Sequence, residues 1–216
     1  AFDDTLIGDG GENLIIGGGG VDTILGNGGD DYLFGDINAG GEIFNTGSDF
    51  IDGGAGIDTV EYHENGGRVE GVAVDLSAGV GGTISGGETD TLIGIENVVG
   101  TQLDDTLIGD SGGNTLAGHF GNDLLDGGGG MDTASYNEEY APGRTRVNSI
   151  VSPRTEGVSV SLLAGIGGTS GGGETDTLIG IENVIGTHFD DFIVGDNNAN
   201  VLSGLGGADL IRGLGG

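Results

Sequence analysis

Large aliphatic residues recur along this chain every nine positions, a spacing that fits neither the two-residue period of a half-buried strand nor a 3.6-residue helix face. Leu6, Ile15, Ile24 and Leu33 open the series, and Ile51 and Val60 keep its phase after a gap. Leu107, Leu116, Leu125 and Ala134 form a second series, and Ile193, Leu202 and Ile211 a third. The residues around them follow the frame G-G-x-G-x-D-x-U-x, where U is the aliphatic: GGGGVDTIL from Gly17, GNGGDDYLF from Gly26, GGAGIDTVE from Gly53. Strict alternation, the pattern of an ordinary strand, occurs at Val72/Val74/Leu76 and again at Val158/Val160/Leu162. Self-similarity of this kind marks a stacked-repeat architecture, in which each unit buries its apolar residue only against its neighbours.

The frame runs from residue 8 to 61, with one degenerate unit at 35–43 (GDINAGGEI), from Gly100 to 135, and from Gly186 to the end. A longer repeat overlies it: GGETDTLIGIENVVGT from Gly86 returns as GGETDTLIGIENVIGT from Gly172, an offset of 86 residues. Two excursions interrupt the frame, residues 62–70 and 136–156. The longer holds both prolines, Pro142 and Pro153, and three of the five arginines, and reads as a protruding loop because proline removes ladder donors. Five segments are therefore expected: a repeat run 1–61, an excursion with connector 62–99, a second run 100–135, a Pro/Arg loop with second connector 136–185, and a third run 186–216 that stops inside a unit. A chain that starts and stops mid-repeat reads as part of a longer protein, whose other domains are its expected partners.

Composition narrows the chemistry. Glycine takes 53 of 216 positions, and 35 acidic residues against five arginines and no lysine leave a formal charge of −30. Such a chain repels nucleic acid and anionic membrane surfaces and attracts cations. It has no cysteine, so neither disulfides nor thiolate-bound metal can hold it together. No stretch is long and apolar enough to predict membrane insertion. No GxSxG, HExxH or Cys–His signature is present. The paired carboxylates Glu88/Asp90 and Glu174/Asp176 are of a type glycosidases use, but their duplication with an identical flank favours a structural role.

The frame is that of the RTX (repeats-in-toxin, haemolysin-type) calcium-binding nonapeptide, which this chain resembles over most of its length. The resemblance implies an all-β fold, a right-handed parallel β-roll. The first six residues of each unit would form a turn and the last three a short strand. Two units would make one coil, so that residue i stacks on i+18, with several Ca²⁺ ions held between stacked turns by carbonyls and the position-six Asp. The implied metal ligands are Asp4, Asp22, Asp31, Asp49, Asp58, Asp105, Asp123, Asp132, Asp191 and Asp209, with Asn13, Asn114 and Asn200 where Asn replaces Asp. The chemistry agrees, since Ca²⁺ takes six to eight oxygens at flexible geometry. Stacked carboxylates ~4.8 Å apart would otherwise repel by about 3 kcal/mol per pair at an effective dielectric of 20. On the order of six to ten ions are expected. The resemblance also implies a secreted, extracellular protein. It would leave through a type I secretion channel unfolded, as a disordered acidic spacer, and fold on meeting Ca²⁺ outside. The module would support secretion and stability of an attached domain and would not itself be an enzyme. The parent chain could be a protease, lipase, epimerase, toxin or adhesin.

Three finer expectations follow. Stacking by 18 predicts ladders Asp4–Asp22–Gly40–Asp58 and Asn13–Asp31–Asp49, with a weak site beside Gly40, and Glu96 and Glu182 fall in phase with position six. The units with Asn at position six carry Asp at position two (Asp9, Asp110, Asp196), which suggests either a compensating metal ligand or an Asx-turn former. Position nine is apolar early in each run (Ile7, Ile16, Leu25, Phe34, Ile108, Val194), which predicts a cover, for which the two alternating strands are candidates.

Overall fold

The computed structural model describes residues 2–36, 47–62, 68–137 and 154–216. Every regular element among them is a short strand, and the strands form two sheets of thirteen and eight. The larger sheet runs, in spatial order, Thr5–Ile7, Thr23–Leu25, Phe50–Asp52, Asp90–Ile93, Val80–Gly81, Ala73–Asp75, Thr106–Ile108, Leu124–Asp126, Asp176–Ile179, Ile166–Gly167, Ser159–Ser161, Phe192–Val194 and Leu210–Arg212. The smaller runs Leu14–Gly18, Tyr32–Asp36, Thr59–Glu61, Asn97–Val99, Thr115–Ala117, Thr133–Ser135, Asn183–Ile185 and Leu202–Ser203. Successive nonapeptides alternate between the sheets, and the nonapeptide strands pair in parallel with their neighbours, so the all-β parallel roll is observed.

The three-residue strand puts its middle residue inward and its flanks outward, because side chains alternate across a strand. Ile24, Leu33, Ile51, Val60, Leu107, Leu116 and Ile193, all at position eight, are fully buried, and Leu6 and Leu202 pack against them part-buried. Ile211, in the last strand, is 40% exposed.

Within the runs the register is 18 residues, as in Thr5↔Thr23, Leu14↔Tyr32 and Thr106↔Leu124. Across the degenerate unit it is 27: Thr23 pairs with Phe50 and Tyr32 with Thr59. The expected ladder through Gly40 is thus corrected. In the frame of that unit position eight is Glu42 rather than an aliphatic, and a charge is costly to bury in an apolar core. The ladder therefore closes over it. Because one unit is half a coil, its removal from the stack moves every following unit to the opposite edge. Asp49 lies next to Asp22, and Asp58 next to Asp31. Gly40 itself, and with it the site expected beside it, lies outside the described residues.

The alternating strands are no cover. Val74 pairs in register with Leu107, and Val160 with Ile193, so both strands enter the larger sheet and bury Val72, Val74, Val158 and Val160. Each is the first strand of a meander that returns antiparallel (Val80–Gly81, Ile166–Gly167) and joins the sheet again at Asp90–Ile93 or Asp176–Ile179. Each meander adds two strands to the larger sheet beyond the one a regular coil would supply. Ile7 stays 65% exposed and Ile16 38%, whereas Phe34 is buried. Of the Pro/Arg loop, residues 138–153 lie outside the described residues, and its described ends turn inward: Tyr136 and Arg154 are buried.

Candidate metal sites

Along each edge of the roll the position-six acids form a ladder linked through the backbone. Oδ1 of Asp22 accepts the Asp4 N–H at 2.7 Å, Asp49 that of Asp22 at 2.7 Å, and Asp90 that of Asp49 at 2.8 Å. On the other edge Asp31 accepts from Asn13 at 2.7 Å, Asp58 from Asp31 at 2.8 Å, and Glu96 from Asp58 at 2.8 Å. Later coils repeat the arrangement, with Asp123 accepting from Asp105, Asp132 from Asn114, Glu182 from Asp132, and Asp209 from Asp191. In each of these acids one carboxylate oxygen is thereby spent on joining coils.

The other oxygen is the chemical anomaly. Oδ2 of Asp22, Asp31, Asp49, Asp58 and Asp132 is buried and receives no hydrogen bond. A buried polar atom without a partner costs about 1–3 kcal/mol, and more when charged. Burial accordingly pushes Asp49 and Asp58 up to about 6, and also raises Asp31 and Asp132. At most of these turns a backbone carbonyl oxygen and the free carboxylate oxygen approach the same position-one glycine. A Cβ added to Gly17 would lie 2.4 Å from Asp22 Oδ2 and 2.6 Å from the Gly35 carbonyl oxygen. At Gly26 the neighbours are Asp31 Oδ2 at 2.3 Å and the Gly53 carbonyl at 2.5 Å. At Gly127 they are the Gly180 carbonyl at 2.3 Å and Asp132 Oδ2 at 2.7 Å. Position one is glycine because the carboxylate folds back over it. Acceptors converging without a donor suit a hard cation, and these residues fit Ca²⁺. Among the described residues no three His, Cys, Asp or Glu side chains gather as a metal-binding group, so most ligands would be carbonyls.

Backbone conformation sorts the fully described turns into those with positive φ and those without, and four of the five donor-free oxygens (Asp22, Asp31, Asp58 and Asp132) lie in the first group. In 17–22 and 127–132, positions two and four take positive φ: Gly18 107° and Gly20 130°, Gly128 81° and Gly130 137°. The same holds at 26–31, 53–58, 118–123 and 204–209. All four non-glycine residues with positive φ among those described, Asn27, His119, Leu205 and Leu214, stand at position two. That conformation costs an L-residue roughly 1–2 kcal/mol, so the turn form overrides local preference. We call these turns open.

The turns with Asp at position two and Asn at position six are closed. No residue of 8–13, 109–114 or 195–200 has positive φ. Asp9, Asp110 and Asp196 accept the N–H of Gly11, Gly112 and Asn198 at 2.9, 2.7 and 2.8 Å, as Asx turns do. These bonds hold Asp9 and Asp196 below the usual carboxylate range. The position-six Asn Oδ1 accepts the Asp N–H, while Nδ2 of Asn114 and Asn200 donates to the carbonyls of Glu96 and Glu182 at 3.0 and 2.8 Å. An amide donor stands where an open turn has only acceptors. A third form uses threonine. Asp105 accepts from the Thr101 N–H and hydroxyl and the Val72 N–H, and Asp191 likewise from Thr187 and Val158. Both carboxylates are satisfied by protein. Of the remaining expected ligands, Asp123 is buried and pushed up to about 9, chiefly by burial, while Asp4 is exposed and Asp209 half-buried.

Two acids at the junctions, Asp90 and Asp176, were not expected as ladder members. Asp90 continues the Asp22–Asp49 edge, and its Oδ2 accepts the Tyr62 hydroxyl at 2.8 Å; Asp176 does the same for Asp123 and Tyr136, at 2.9 Å. Glu88 and Glu174 meet Arg68 and Arg154. Their recurrence at the 86-residue offset was the available signal.

The family model of the RTX calcium-binding nonapeptide repeat matches the chain in four copies, at residues 1–37, 45–61, 99–134 and 185–216, more than half its length. The chain belongs to the RTX calcium-binding repeat family. The break between the first two copies of the RTX repeat falls on the degenerate unit that the ladder closes over. No curated protein matches the chain. As an RTX chain it is a calcium-binding repeat module.

Proposed function

We propose that this module folds on binding Ca²⁺ outside the cell and thereby supports the secretion, folding and stability of the longer protein it serves. The observation that carries this is the set of five buried aspartate oxygens without a donor, four of which (Asp22, Asp31, Asp58 and Asp132) share their position-one glycine with a backbone carbonyl oxygen. Fully ionised and without a cation, that stack holds uncompensated buried charge, and coils joined through it separate. The ions sit against Asp22, Asp31, Asp49, Asp58 and Asp132, with Asp123 and the end units at Asp4 and Asp209 completing the series. The closed turns at Asn13, Asn114 and Asn200, and the threonine turns at Asp105 and Asp191, are satisfied without an ion. Glu88, Asp90 and their counterparts are engaged inside the core, which supports a structural rather than a catalytic use.

Far-UV circular dichroism with a hydrodynamic radius, read across a calcium titration of the chelated chain, tests this. A compact β form is expected to emerge with calcium and not with equimolar magnesium, whose rigid octahedral demand these carbonyl-rich turns do not meet. A compact β form in excess chelator at neutral pH would refute it.

A further inference from the structure

The chain has five cationic side chains besides its histidines, and two of them lie where the repeat is interrupted: Arg154 is buried, and the Arg68 side chain is 8% exposed. They lie 86 residues apart, as do their partners Glu88 and Glu174. Arg68 makes a two-pronged pair with Glu88, both bonds at 3.2 Å, with its guanidinium 5.8 Å from the centre of the Tyr62 ring. Arg154 pairs with Glu174 and lies 4.8 Å from the Phe120 ring and 5.7 Å from Tyr136. It also donates to the carbonyl oxygen of His119, the positive-φ residue at position two of an open turn. That turn meets the meander through Thr175 N–H to Asn122 Oδ1 at 2.9 Å, as Thr89 N–H, next to the Glu88 that pairs with Arg68, meets Ser48 Oγ at 3.0 Å. At Arg154 a carboxylate and a turn carbonyl from adjacent layers converge on one buried positive charge, the ligand type of the open turns with a guanidinium at its centre, and at Arg68 both oxygens of one carboxylate do so.

We propose that Arg68 and Arg154 are built-in cations that take the place of calcium at the two junctions, so that each meander stays joined to its flanking coil when the ion is absent. This rests on the reading that the open turns elsewhere need calcium. The Tyr62–Asp90 and Tyr136–Asp176 bonds act in the same sense, because a hydroxyl supplies the donor that the neighbouring ladder oxygens lack. The junctions, residues 88–99 and 174–185, are then the parts of the roll from which the calcium-loaded coils grow.

Hydrogen exchange on the full chain in excess chelator, read by segment, tests this. Residues 88–99 and 174–185 are expected to exchange at least about tenfold more slowly than 14–34 and 202–212. Arg154→Gln, which removes the charge and keeps amide donors, is expected to abolish the slow exchange at 174–185 but not at 88–99, and Arg154→Lys to restore part of it. Calcium should return the Arg154→Gln chain to the wild-type pattern in the nonapeptide runs. Equally fast exchange everywhere in chelator, or slow exchange at 174–185 that Arg154→Gln leaves unchanged, overturns the proposal. Slow exchange in every segment overturns the calcium reading, and the proposal with it.

Discussion

The turn at 26–31 and the turn at 109–114 come from the same nine-residue frame and cap equivalent strands, yet they pose opposite electrostatic problems. In the first, Asp31 gives one oxygen to the neighbouring backbone and leaves the other buried beside a carbonyl. In the second, Asn114 presents an amide N–H to the carbonyl above it, and Asp110 closes the backbone on itself. One exchange, Asp for Asn at position six, coupled to Asp at position two, turns a site that lacks a positive partner into one that needs none. The roll thus mixes turns that depend on an ion with turns that do not, and the ion-free ones recur at the first full unit or the second of each run.

Removing an open-turn carboxylate should have the largest effect. Asp31→Ala takes away both the acceptor of the Asn13 N–H and the charge facing the Gly53 carbonyl. Losing one partner of a buried charge typically costs about 3–5 kcal/mol, so its thermal midpoint in calcium should fall far more than that of Asn114→Ala. Acid should partly replace calcium. The metal-free carboxylates of Asp49 and Asp58 titrate near 6 and Asp90 near 7, all raised from 3.8, with burial the largest cause. An acid whose folded pKa is raised destabilises the fold fully above that pKa, and the penalty is relieved as pH falls through it toward the unfolded value. The chelated chain should therefore gain sheet signal as pH drops from 7.5 to about 4.5. Absence of any gain would mean the ladder acids are not what opposes folding.

Smaller effects separate close approach from open space. Gly17→Ala would push a methyl into Asp22 Oδ2 and the Gly35 carbonyl and should cost about 1–3 kcal/mol. Gly10→Ala, in a closed turn with no atom within 4 Å, should change stability by less than about 0.5 kcal/mol. Asp110→Asn keeps an oxygen for the Gly112 N–H and should also stay within about 0.5 kcal/mol in a urea melt.

Much of this fold was legible in the sequence, because a nine-residue period with one aliphatic leaves few other ways to bury Ile24, Leu33 or Leu107. The ladder partners were not. Glu42 at position eight was visible, but its consequence, a stack offset of 27 that reverses the edges of Asp49 and Asp58, depends on which units the structure keeps in the stack. The coupling of Asp9, Asp110 and Asp196 to Asn at position six was also visible, and only hydrogen bonding shows it to be an Asx turn. Which aspartate oxygens lack donors was beyond sequence reasoning altogether. Asp105 and Asp31 occupy the same frame position, and Thr101 two residues into the turn decides that Asp105 is satisfied. Arg68 and Arg154 were read as part of surface excursions because their partners lie 20 residues away across a meander.

The most direct measurement is the number of Ca²⁺ ions bound by the full chain in native mass spectrometry. The wild type would be compared with a triple Asp22/Asp31/Asp58→Asn variant and a triple Asp9/Asp110/Asp196→Asn variant. Ions should be lost from the first and retained in full by the second. Unchanged stoichiometry in the first, or loss in the second, would contradict the assignment of calcium to the open turns.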